Sequence, residues 1–171
     1  MQVRSLICTA ALTLSLSGGV QAARSLEQVR YALFQDSQAL VEEDLRHLAG
    51  RGDLGATRLL GEVLISRSPS NAVQAAALFK QAFADGRGDI GALIPLARLV
   101  DYKPRLREAN RAYFRQALER FATGRDFIAV DTRLEVFLVY PELFQQAEVA
   151  RLIELYDRAC LIYCHAPLYR A

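Results

Sequence analysis

Apolar residues recur along this chain at the spacing of helices, from Leu40 almost to the end. Leu40, Val41, Leu45 and Leu48 mark a first amphipathic stretch, with Ser37 placed to cap it and Gly50 to end it. Asp53 stands ready to cap a second, which carries Leu54, Leu59, Leu60, Val63 and Leu64. Ser66-Arg67-Ser68-Pro69-Ser70 reads as a turn, and Ser70 or Asn71 caps a helix whose inward side is Val73, Ala76, Ala77, the stem of Lys80 and Phe83. Gly86 stops it, Asp89 caps again, and Ile90 to Val100 forms a short apolar helix in which Pro95 is expected to produce a bend. After a turn at Tyr102-Lys103-Pro104, residues 105–122 form the expected longest helix. Leu106, Ala109, Ala112, Tyr113, Ala117, Leu118 and Phe121 lie on its one side, and charged residues on the other. Further helices are expected over about 126–139, ending before Pro141, and about 142–160. No window alternates with the period of two that a strand requires, so the fold class is all-α.

The pattern also repeats at longer range. Gly50-Arg51-Gly52-Asp53-Leu54-Gly55-Ala56 returns as Gly86-Arg87-Gly88-Asp89-Ile90-Gly91-Ala92, an offset of 36 residues, and a looser copy begins at Gly124. Helical segments on such a period predict a right-handed α-solenoid of helix-turn-helix repeats, roughly 37–65, 71–100, 105–139 and 142–171. Gly50, Gly86 and Gly124 then end helices, Asp53 and Asp89 cap the following ones, and Gly55, Ala56, Gly61, Gly91, Ala92 and Ala97 let helices approach closely. The two Arg-Gly-Asp tripeptides are therefore turn chemistry, not adhesion motifs. The paired glycines are not a dinucleotide loop, because no strand precedes them.

The beginning of the chain reads differently. Met1–Ala22 has one Arg, an apolar or small run from Leu6 to Leu16, then Gly18-Gly19 and a small-residue end at Ala22, which is the layout of a secretory signal peptide. The run is shorter than the roughly 20 residues of a spanning helix, so cleavage after Ala22 is expected and no integral span remains. Its Cys8 precedes most of the apolar run and does not offer a lipidation site. At 52% hydrophobic and 23% charged, the chain is neither disordered nor a disulfide mini-protein. A formal charge of +2 supplies no field to draw it onto nucleic acid.

Ala56-Thr57-Arg58-Leu59-Leu60-Gly61, then Asn71 through Ala82, then Gly86 and Ala92, resembles the Sel1-like variety of tetratricopeptide repeat, in which an A-x-x-x-L-G helix precedes a helix ending in a K-A-A-like run. More narrowly, Phe83–Tyr102 with Ala92-Leu93-Ile94-Pro95-Leu96 inside it, and the segments Asp126–Tyr140 and Glu154–Tyr169, resemble the amino-terminal repeats of the K family of periplasmic scaffolds in alginate biosynthesis and export. That resemblance implies a non-enzymatic scaffold without cofactor, periplasmic and associated with the outer membrane. Its partners would be envelope proteins of a polysaccharide export complex, namely an outer-membrane porin and polymer-modifying enzymes. Two alternatives stand beside it: an exported Sel1-like adaptor or regulator unrelated to polysaccharide, and an accessory protein that binds polyuronate. The family's members are longer and carry a lipidated Cys. Together with an ending at Ala171, just after Cys164-His165-Ala166-Pro167-Leu168-Tyr169 opens what reads as another helix, this leads to the expectation of a truncated copy.

Candidate chemistry is sparse, and no catalytic residue is expected. Cys160 and Cys164 are the thiols left after cleavage. Export favours oxidation, leaving a bond between them or a bond to a partner as alternatives, while a metal site with His165 lacks a fourth ligand nearby. His47 reads as a surface residue without a nucleophile, and Glu42, Glu43 and Asp44, being adjacent, point in different directions as a solvated face. Arg107, Arg111 and Arg115, four apart, line one stripe of a helix and form the candidate polyanion-binding site, with a solvated face as the plainer alternative.

Overall fold

Ser25 opens the first helix with a capping box: its hydroxyl accepts from the Gln28 backbone N–H while the Gln28 side chain accepts from the Ser25 N–H at 2.8 Å. From there the structure, a computed structural model, describes residues 24–121 and 126–164, with Asp85 and residues 159–164 described for the backbone only. Among these residues the order is α1 (Leu26–Gln35), α2 (Glu42–Gly50), α3 (Leu54–Arg67), α4 (Ala72–Phe83), α5 (Leu93–Asp101), α6 (Pro104–Phe121), α7 (Phe127–Val139) and α8 (Gln146–Cys164). Short 3₁₀ turns at Pro69–Asn71, Ala84–Gly86, Ile90–Ala92 and Pro141–Leu143 join some of them, and no strand occurs among the described residues. The chain is all-helical.

The hydrophobic phase of several helices differs from the sequence expectation. Ser37 does not cap α2; it lies in a turn, Val41 takes the N-cap position without a side-chain bond, and Leu40 points to solvent. On α4 the inward side is Ala72, Ala75, Ala76, Phe79, Ala82 and Phe83, whereas Val73 and Ala77 are exposed. On α6 the buried residues are Asn110, Phe114, Ala117 and Phe121, and Ala109 and Ala112 face water. Large rings decide both rotations: the alanines are small enough to leave out, and Phe79 and Phe114 are not. Phe114 packs against the Tyr140 ring at 5.1 Å, and Phe83 meets Tyr113 and Phe121 edge to face at 6.3 and 6.1 Å. Among the described residues α8 has 19 residues and α6 has 18.

Pro95 does not fall in a helix interior, because a 3₁₀ turn takes Ile90–Ala92 and α5 begins at Leu93. Pro95 therefore sits in the first helical turn, where its missing N–H would have had no intrahelical partner. α3 and α4 approach closely: a Cβ placed on Gly61 would lie 2.6 Å from the fully buried Phe79 ring. α2 covers another side of α3, α4 passes its packing to α5, α5 lies on α7, and α7 on α8. Two buried clusters result, one around Val29, Leu45, Leu60 and Leu64, the other running from Ala72 through Phe79, Leu96 and Phe114 to Tyr140. Among the described residues no helix is long and apolar enough to cross a membrane.

Candidate functional site

The duplicated heptapeptide folds in two ways. In the first copy α2 runs through Gly50, and the left-handed residue that ends it is Gly52, at φ +88°. In the second, α4 has already ended at Phe83, with Ala84 left-handed at φ 46°, and Gly86 at φ +84° closes the 3₁₀ turn that follows. Gly50 and Gly86 thus share a place in the sequence but not a role. The backbone N–H groups of Gly88 and Asp89 then donate to the carbonyls of Phe83 and Ala82 at 3.1 and 2.9 Å, folding the chain back over the end of α4.

The aspartates diverge as well. Asp53 caps α3 by accepting from the Ala56 N–H at 2.9 Å, and Asp126 caps α7 by accepting from Ala129 at 3.0 Å. Asp89 stands at the corresponding point but makes no cap bond; its carboxylate lies 3.3 Å from the Arg58 guanidinium of α3. Ala56 and Ala92, with Ala129 in the same register, are fully buried. Gly124 lies outside the described residues, as do the side chains of Cys160 and Cys164, whose backbone belongs to the end of α8.

A row of charged residues that the sequence reading passed over links the successive units. Arg58 reaches Glu62 at 3.5 Å as well as Asp89, and Arg98 of α5 holds Glu135 of α7 through Nε at 3.2 Å. Burial, with the charge of Asp89 added, pushes the Glu62 carboxyl up despite Arg58. Burial and then the Glu135 charge do the same to Asp131. The signal was present in the sequence: Glu62, Arg98 and Glu135 each stand nine residues after the aspartate of their unit.

The arginine stripe is largely engaged. Arg107 donates to the Val139 carbonyl, its own carbonyl accepts from the Tyr140 hydroxyl at 2.6 Å, and its guanidinium lies 5.6 Å from the centre of that ring. Arg111 pairs with Glu142 at 3.1 Å. Both arginines fasten α6 to the junction between α7 and α8, Arg111 through an ion pair and Arg107 through a backbone carbonyl, whereas Arg115 has no ion-pair partner among the described residues. The acidic run is also engaged in part: Glu42 holds Arg46 at 2.5 Å and Arg67 at 3.1 Å, and Asp44 holds Arg24 at 2.7 Å, while Glu43 and His47 are exposed. No cluster of three metal-binding side chains occurs among the described residues. Comparison with family models, with curated proteins and with solved structures gives no match to this chain.

Proposed function

We propose that this protein is an exported, non-enzymatic helical-repeat scaffold: residues 1–22 direct it to the periplasm, and the rest forms a right-handed Sel1-like solenoid that holds together components of an alginate export complex. The observation that carries the repeat reading is the agreement of register inside and outside. Ala56, Ala92 and Ala129 are buried at matching points, while Glu62, Arg98 and Glu135 stand at matching points on the outer side and pair within or between units. The ion pairs Arg58–Asp89 and Arg98–Glu135 join successive units along one row, which supports a surface that serves a protein partner better than a small substrate. The near-neutral charge suits such a role, and the alginate assignment itself rests on the segments around Phe83–Tyr102 and Asp126–Tyr140.

The test is crosslinking in intact envelopes followed by capture of the full chain. Recovery of an outer-membrane polysaccharide porin or a polymer-modifying enzyme, weakened by Arg98→Glu, is the expected result. Recovery of neither, or of envelope proteins unrelated to polysaccharide, overturns the alginate assignment. A mature amino terminus at Ala23 by mass spectrometry is expected for the export step, and an intact Met1 would overturn it.

A further inference from the structure

Between α6, α7 and the start of α8 lies a pocket of about 200 Å³. Its apolar bed is Leu118, Leu143 and Phe144, and Phe144 is braced from behind by the Phe137 ring, edge to face at 5.7 Å. Arg133, largely buried in its wall, is paired with Glu148, so this part of the lining is already neutral. The remaining two lining residues are opposite charges, Arg115 and Glu119, one turn apart on α6, each without an ion-pair partner among the described residues. Neighbours at this spacing on a helix lie about 5–6 Å apart at Cβ, close enough for both charges to reach one small ligand in the pocket.

We propose that this pocket binds a free α-amino acid with an aliphatic side chain. The carboxylate answers Arg115, the ammonium answers Glu119, and the side chain rests on Leu118, Leu143 and Phe144. The alternatives each leave a group unmet. A simple carboxylate would face Glu119 uncompensated, a hydrocarbon would desolvate two charges without replacing their water, and a polyuronate would meet Glu119 with like charge after Arg107 and Arg111 have been taken by the protein itself. The volume agrees, being below the roughly 300–1,000 Å³ of sites for drug-sized ligands.

Titration of the full chain with L-leucine, N-acetyl-leucine and leucinamide, followed by NMR shifts of the pocket residues, tests the proposal. Leucine is expected to bind at least about tenfold more tightly than either blocked form, the scale of one charge-assisted contact. In Arg115→Gln leucine and leucinamide should bind alike, and in Glu119→Gln leucine and N-acetyl-leucine should. Both residues are exposed, so both variants should keep the wild-type melting temperature. No shift with leucine, equal binding of a blocked form to the wild-type protein, or leucine binding unchanged by Arg115→Gln overturns the assignment; displacement of leucine by an oligouronate does so in favour of a polymer site.

Discussion

The Tyr140 hydroxyl is a useful measure of how much one polar atom contributes at a helix junction. The side chain is buried, its O–H donates to the Arg107 carbonyl, and burial pushes its ionisation up to about 12. Because the native value lies above the unfolded value of about 10, the neutral phenol adds stability that is complete below pH 10 and is lost as pH rises toward 12. Tyr140→Phe should cost about 1 kcal/mol in urea denaturation at neutral pH and should weaken the alkaline fall in stability that the wild type shows. Gly61 makes a second case. Ala there would gain up to about 1 kcal/mol of helix propensity but lose about 1–3 kcal/mol by overpacking against Phe79, so the variant should be less stable. Adding Phe79→Leu to Gly61→Ala should recover part of that loss relative to the sum of the single changes; strict additivity would show that the ring is not the obstacle.

At the level of elements, the existence of helices was legible because a period of 3.6 survives small errors in phase, and the phases of α4 and α6 were not. Alanine gives little signal as to which side it prefers, so the position of one ring in three dimensions decides. α1 went unrecognised although Ser25 and Gln28 have capping-box spacing, since it lies next to the leader and carries a single fully buried residue, Val29. The caps allow a sharper test. Asp53→Ala and Asp126→Ala should each cost about 1 kcal/mol with little dependence on salt. Asp89→Ala should cost less than about 1 kcal/mol, and the cost should shrink as salt is added, because its partner is the partly exposed Arg58 and not a backbone N–H. Equal and salt-independent losses at all three positions would contradict the divergence.

Across the whole molecule, α4 is the wall between the two buried clusters: Phe79 belongs to one, and Leu78 packs partly against the other. Leu45→Ala should lower stability by about 2–5 kcal/mol, and in native-state hydrogen exchange it should loosen α1 to α3 more than α5 to α7. Arg24 ties the start of the described chain to α2 through Asp44. Burial raises that carboxyl, but the Arg24 backbone N–H and guanidinium outweigh it and hold it below the usual range. A lowered native value means the pair contributes above the normal carboxylate range and is lost as pH falls through the native value. Asp44→Asn should therefore cost less than about 1 kcal/mol at neutral pH and nothing in strong acid, measured by thermal melting. The charged row and the pocket were less legible than the helices. Their members lie far apart in sequence, and Arg107 and Arg111, conspicuous as letters, proved to be fasteners of α6.

The near-identity of the two heptapeptides also bears on the gene. A slip between the two copies would fuse Gly50 to Arg87, leaving the junction reading as before while removing α3 and α4 entire. The product would pass any inspection of its turn motif. Yet it would have to close α2 with Gly52-type geometry where α5 needs the fold-back over Ala82 and Phe83, residues it no longer contains. A shortened copy of this kind should be expressed and then degraded, so the repeat that eases duplication in sequence resists deletion in structure.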